Sequence, residues 1–277
     1  MGALLGARDL RELAAGIDLR PSKQRGQNFV HDANTVRRIV AAAGVGDADT
    51  VLEIGPGLGS LTMGLLEAGA SVVAIEVDQA LATLLPQTVA RRMPDAASRL
   101  SVITADALQV RELPNSPSAM VANLPYNISV PVILHILGQF PGIRSGLVMV
   151  QAEVADRLAA PPGSRVYGIP SAKLAWYASA RRVGSVPPNV FWPVPRVESG
   201  LVEIIRRDPP ATSATKEQVF TVVDRAFSAR RKMLRSNLAG LADSPAAVLQ
   251  AAGVDPAARG ETLGITDFSA IAEEVFS

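Results

Sequence analysis

The chain has 277 residues, with 27 Lys and Arg, 26 Asp and Glu, two His and no Cys. Those counts exclude disulfides, thiol nucleophiles, Cys-based zinc sites and iron–sulfur clusters, and the isolated His31 and His135 build no metal-ligand cluster. No apolar run approaches the ~18 residues that span a bilayer. Residues 1–18 mix Arg8, Asp9, Arg11 and Glu12 with Leu and Ala where a signal peptide has an apolar block, so a cytoplasmic protein with no membrane and no metal is expected.

In chain order, Gln27-Asn28-Phe29 reads as a turn into a helix. Residues 50–54, 71–76, 100–104, 118–122 and 145–150 are short, apolar or β-branched, and bounded by turn residues. Their alternation with helical runs predicts an α/β fold, a mostly parallel, doubly wound sheet with helices on both faces. His135 falls within the apolar helical run 132–137 and reads as structural. The stretch from Phe191 to Pro195 holds too much proline for a central strand. Residues 199–205 read as a further strand, making an antiparallel edge pair with 182–186.

A linker at 206–210 ends a first domain, 1–207, and opens a small all-α domain, 208–277. There Val219, Val223, Ala226 and Phe227, then Met233, Leu234 and Leu238, fall near one face at helical spacing. Asp243-Ser244-Pro245 and Thr266-Asp267-Phe268 have the composition of later helix starts. The net charge of +1 says nothing about nucleic acid, but its distribution does. Residues 208–277 carry seven basic side chains against nine acidic ones, and five of the seven lie between Arg225 and Arg235. Arg230, Arg231, Lys232 and Arg235 are therefore the candidate phosphate contacts, with Arg231 and Arg235 sharing a helix face, and Arg20, Lys23 and Arg25 extend the track.

The strand at 50–54 runs into Gly55-Pro56-Gly57-Leu58-Gly59, a loop that exposes main-chain N–H groups at a helix start. Glu76 ends the next strand, 21 residues after Gly55, where a carboxylate meets ribose hydroxyls. Asp106 follows the third strand, where it can accept an adenine's exocyclic amine. Any one of these is compatible with a plain turn or a solvated acid; the three at successive strand ends imply an adenosine-containing cofactor. NAD competes, but its glycine spacing differs, position 60 is Ser, and Tyr126 is the only acid–base candidate for hydride chemistry. S-adenosylmethionine is the preferred reading.

Asn123-Leu124-Pro125-Tyr126 follows the fourth strand, at the edge where open sheets bind ligands. An adenine N6 amine is a poor nucleophile because its lone pair is delocalised. The Asn123 oxygen and a backbone carbonyl, that of Leu124, can accept both its hydrogens and aim the lone pair at a methyl group. Pro125 fixes the turn, and Tyr126 offers a stacking face for a flipped base. Phe191 is expected to close the other side of that base, as the second ring of an aromatic sandwich. No strong base is needed, which suits a chain with two histidines.

These segments resemble those of the ribosomal RNA adenine dimethyltransferases, most closely the bacterial small-subunit branch, from about Leu10 to the C-terminus. The matching motifs are 26–30, 53–59, 76–78, 105–107, 123–126, Phe191-x-Pro-x-Pro-x-Val197-x-Ser199 and the basic run 227–235. The resemblance implies a Rossmann-like class I S-adenosylmethionine-dependent methyltransferase domain. It further implies dimethylation of two adjacent adenines near the 3′ end of 16S rRNA, within an assembling 30S subunit, by a monomer. It assigns Asn28 and Val30 to the cofactor beside Gly55, Gly57, Glu76, Asp106 and Asn123; Val30 departs from the family's frequent Leu. Two rivals stand: a 23S rRNA methyltransferase of the macrolide-resistance type, and an assembly factor that acts mainly by binding.

Overall fold

The computed structural model describes residues 4–21, 27–125 and 127–277. The chain divides into two compact units: Met1–Ala155 with Arg181–Ile205, and Asp156–Ala180 with Arg206–Ser277. The second crossing lies close to the expected boundary at 207. The first is a departure: residues 156–180, expected in the sheet domain, group with the C-terminal helices.

The first unit contains α1 (Ala7–Gly16), β1 (Phe29–Val30), α2 (Ala33–Ala43), β2 (Thr50–Ile54), α3 (Ser60–Glu67), β3 (Ser71–Glu76) and α4 (Gln79–Arg92). It continues through β4 (Leu100–Thr104), β5 (Ala119–Asn123), α5 (Ser129–Gln139) and β6 (Ser145–Gln151), into α6 (Ala152–Leu158). After α7 (Ile169–Leu174) the chain returns as β7 (Ala178–Val186), β8 (Phe191–Trp192) and β9 (Ser199–Arg206). The main sheet has the order β4-β3-β2-β5-β6-β9-β7. Its pairs from β4 to β6 are parallel, and β9 joins β6 antiparallel. Strand order reverses at β2: β3 and β4 lie to one side, β5 and β6 to the other. Ligands bind at such a switch point, outside the carboxyl ends of the strands.

Local chemistry accounts for the frame. Val51, Leu52 and Ile54 of β2 are buried, as parallel strands covered on both faces require. Asp32 caps α2 by accepting from the Thr35 N–H at 2.7 Å, and Asp78 caps α4 through the Ala80 N–H at 3.0 Å. Helix α3 is buried from Ser60 to Leu66. It can pack so closely on α2 because residue 64 is Gly: a Cβ there would stand 2.3 Å from Val36 Cγ1. Gln27-Asn28-Phe29 is not simply a helix-entry turn. Phe29 and Val30 form a two-residue strand antiparallel to β8, with Phe29 opposite Trp192 and Val30 opposite Phe191.

The second unit packs α8 (Lys216–Ala226), α9 (Leu234–Asn237), α10 (Pro245–Ala251) and α11 (Ile265–Phe276) with α7. Helix α8 buries Val219, Val222, Val223 and Ala226; α11 buries Ile265, Phe268, Ile271 and Ala272. Phe220 makes T-shaped contacts with Trp176 and Tyr177, with ring centroids 6.3 and 6.2 Å away, and this ties the segment 156–180 to α8. Lys173 adds an ion pair to Asp224 at 2.8 Å. Met233, expected in the apolar face, is 42% exposed, because α8 ends at Ala226 and α9 begins only at Leu234.

Candidate active site

A cavity of about 650 Å³ opens at the carboxyl ends of β2, β3 and β5 in the first unit. Asn28, Val30, Gly55, Gly57, Glu76, Asp106 and Asn123 all line it. The glycine loop holds its shape through Gly57: φ is +57°, and a Cβ would meet the Phe29 ring at 2.5 Å. The Gly57 N–H donates to Glu76 Oε2 at 3.0 Å, and the Asp78 N–H donates to Oε1 at 3.0 Å. With a further backbone hydrogen bond from Val77, the carboxylate is held by three main-chain N–H groups and keeps part of its acceptor capacity for a ligand. Burial raises the Glu76 pKa, opposed by those backbone donors. Asp106 is exposed at the cavity and accepts from the Leu108 N–H at 2.9 Å through Oδ1.

Asn123 is the last residue of β5. Its Nδ2 donates to the Asn28 carbonyl at 2.9 Å, which fixes the amide and leaves Oδ1 as the acceptor. The Leu124 N–H donates to the Met149 carbonyl at 3.0 Å, while the Leu124 side chain is buried. Pro125 lies across from the glycine loop, its Cδ 4.0 Å from where a Gly55 Cβ would be. Tyr126 lies outside the described residues, as do Lys23, Arg25 and Gly26.

Phe191 does not line the cavity. It is 1% exposed and packs in the apolar core of the first unit. The cause is the β1–β8 pairing, which turns Phe191 inward beside Val30 and leaves Trp192 half-buried against Phe29, ring centroids 6.3 Å apart. The expected sandwich with Tyr126 therefore loses one ring.

The basic cluster also differs from expectation. Arg230 is committed within its own unit: Nη1 and Nη2 donate to the Tyr167 and Arg165 carbonyls at 2.9 and 2.6 Å, and Nε pairs with Glu261 at 3.0 Å. Arg231 and Lys232 sit in the turn after α8, and Arg235 in α9, so Arg231 and Arg235 share no helix face. All three are exposed, as is Arg20. His135 places Nε2 3.1 Å from the Val110 carbonyl and 3.1 Å from Arg111 Nη1, a packing role away from the cavity. Among the described residues no cluster of metal-type ligands occurs, and no helix is long and apolar enough to cross a membrane.

Two lining residues, Val77 and Glu53, fall within the motifs 76–78 and 53–59 but carried no assigned role. Val77, 71% exposed immediately after Glu76, offers an apolar surface in the cavity; a large aliphatic after a strand-end acid is its only sequence signal. Glu53 is fully buried beneath the glycine loop and accepts from the Thr62 hydroxyl at 2.6 Å. Burial pushes its pKa up to about 8, with the Thr62 hydroxyl pulling down and the Glu76 charge adding to the rise.

Comparison with known proteins agrees with this geometry. The family described as Ribosomal RNA adenine dimethylase matches residues 19–276. A protein named Ribosomal RNA small subunit methyltransferase A from Cutibacterium acnes is 61% identical over 279 residues, covering 98% of this chain and 94% of its own. Its namesake from Streptomyces avermitilis is 60% identical over 276 residues, with coverages of 98% and 94%. Among solved structures, a dimethyladenosine transferase from Plasmodium falciparum has a TM-score of 0.74 at 24% identity, over 88% of this chain and 95% of that one, a likeness of fold. The 23S rRNA methyltransferase ErmE has a TM-score of 0.64 at 25% identity, over 90% and 100%. A match of that extent, around a cavity lined by the motifs that prompted the resemblance, places the chain in the ribosomal RNA adenine dimethylase family.

Proposed function

We propose that this protein transfers methyl groups from S-adenosylmethionine to the N6 amines of two adjacent adenines in a hairpin loop near the 3′ end of 16S rRNA. It acts in the cytoplasm, as a monomer, on the assembling 30S subunit. Relatives about 60% identical over almost their whole length, named for the small subunit, favour that target over 23S rRNA, since ErmE stands at 25%. The observation that carries the chemistry is the fixed amide of Asn123, its Oδ1 held as an acceptor by the bond from Nδ2 to Asn28.

The cavity fits the cofactor: Glu76 has lone pairs for ribose hydroxyls, Asp106 for an adenine amine, and Val77 an apolar face for its ring. When bound, the cofactor supplies a methyl group already activated by positive sulfur. The chain's task is positioning. Asn123 Oδ1 and the Leu124 carbonyl accept the two N6 hydrogens, which turns the amine lone pair out of conjugation with the ring. Pro125 holds the turn, and Tyr126, by the family resemblance, stacks on the base. The proton released from N6 after transfer is acidic and passes to water without a strong base. Arg231, Lys232 and Arg235 provide phosphate contacts, while Arg230 shapes the turn that presents them.

The test is methylation of small subunits from a strain lacking this activity, with tritiated methyl donor and mapping of the modified nucleosides. N6,N6-dimethyladenosine at two adjacent positions of 16S rRNA is expected; label in 23S rRNA, or none in either, overturns the proposal.

A further inference from the structure

Asn127 lines the cavity and is exposed. It stands in the turn between β5 and α5, where the Ile128 N–H donates to the Pro125 carbonyl at 3.3 Å. An Asn just ahead of a helix ordinarily commits its side chain to the backbone, as a cap or an Asx turn. This one does not. Ile128 is the N-cap of α5, that helix has no side-chain cap, and the Asn127 amide makes no hydrogen bond to a described residue.

The cavity is otherwise poor in free side-chain donors. Among its described lining residues, Asn123 Nδ2 is given to the Asn28 carbonyl and Gln79 Nε2 to the Thr83 hydroxyl at 3.3 Å. Gln27 and Asn28 have interactions of their own, Glu53 and the Ser60 hydroxyl are buried, and no Lys or Arg is present. Adenine has an acceptor on each side of N6, the ring nitrogens N1 and N7. Asn123 Oδ1 and the Leu124 carbonyl meet the two N6 hydrogens and leave both acceptors unmet. An acceptor taken out of water without a donor costs about 1–3 kcal/mol. Asn127 follows Asn123 by four residues, in the turn that begins with the Leu124 carbonyl, and its Nδ2 is the unspent donor there. Asn amides read adenine through N6 and a ring nitrogen at other nucleic-acid interfaces.

We infer that the Asn127 amide donates to a ring nitrogen beside N6 of the target adenine, N1 or N7, and holds the base in place while Asn123 and Leu124 orient the amine. This rests on the adenine-N6 reading above and adds a residue that recognises the ring rather than the amine. A donor on the ring draws electron density away from N6, so the contact does not make the amine a better nucleophile. It acts on how tightly and how squarely the base is held, and it leaves the cofactor untouched.

Small subunits rebuilt with adenosine, 1-deazaadenosine or 7-deazaadenosine at the two target positions test it, with the parent chain, Asn127→Ala and Asn127→Asp. On adenosine, Asn127→Ala is expected to lower kcat/KM about three- to tenfold, as losing one neutral hydrogen bond does. Asn127→Asp sets an acceptor against an acceptor and should lower it further. The parent should lose a similar factor on one of the two deaza substrates, and Asn127→Ala should lose nothing more on that same substrate. Affinity for S-adenosylmethionine and the melting temperature should stay unchanged in both variants, because the side chain is exposed and unbonded. Unchanged kcat/KM on adenosine, deaza penalties that persist in full in Asn127→Ala, or weakened cofactor binding overturns the inference. If the parent methylates no adenine in these subunits, the proposed function fails and takes this inference with it.

Discussion

The cavity of the first unit and the basic turn of the second handle polarity in opposite ways. In the cavity, polar groups are fixed by the backbone: Glu76 by the N–H groups of Gly57, Val77 and Asp78, Asn123 by the Asn28 carbonyl, Asp106 by the Leu108 N–H. In the turn and the start of α9, Arg231, Lys232 and Arg235 stand exposed, and of this basic cluster Arg230 is tied down. The difference matches two tasks. Aligning a weak nucleophile needs dipoles that do not reorganise during the reaction. Gripping a phosphate backbone needs charge near a surface, where counterion release supplies the free energy and exact geometry matters little.

Four variants break or sharpen that contrast. The largest effect is expected from Asn123→Ala, which removes a fixed acceptor: kcat should fall by about 10²–10³, with binding to small subunits largely retained. Full activity in this variant would sink the proposed chemistry. Next, Arg231→Glu with Arg235→Glu should weaken RNA binding and flatten its salt dependence, by a slope of about 0.7–0.9 for each phosphate no longer neutralised. Arg230→Ala should instead lower the melting temperature with the salt slope unchanged. Identical slopes for both variants and the parent would reduce the exposed arginines to solubilising charge.

The smallest effect concerns Glu53. Its folded pKa, about 8, lies above the ordinary 4.5, so the folded state holds a proton that the unfolded state has released. Its contribution to stability is therefore greatest below pH 4.5 and is lost as pH rises from there to about 8. Glu53→Gln should stabilise the ligand-free protein at pH 8 by on the order of a few kcal/mol relative to the parent, and by little at pH 5. An equal difference at both pH values would show that Glu53 is not held protonated.

Sequence legibility followed the physics of each feature. The five strand runs of the parallel part, the glycine loop, Glu76 and Asp106 were readable because strand ends and turns carry local signals. Asn123 was readable through its chemistry, though not its orientation, which depends on Asn28, 95 residues away. Phe191 was misplaced because a Pro-rich segment gives no hint that two of its residues pair with β1 and turn the ring inward. The α8–α9 break was missed because Ser228 to Lys232 interrupt neither helical spacing nor composition. Residues 156–180 were assigned to the sheet domain because they lie between strands in sequence, and only the packing of Trp176 and Tyr177 on Phe220 places them elsewhere.

Strand β1 is only two residues long, yet the segment around it is shared by three neighbours. The Asn28 carbonyl orients Asn123, the Phe29 ring occupies the space that Gly57 leaves, and Val30 sits opposite Phe191. Substitutions here are accordingly coupled. A side chain at 57 would be strained at a φ of +57° and would meet the Phe29 ring, and a single inserted residue between 28 and 32 would break the register that sets Phe29 opposite Trp192 and Val30 opposite Phe191. The spacing of this segment thus matters as much as its composition.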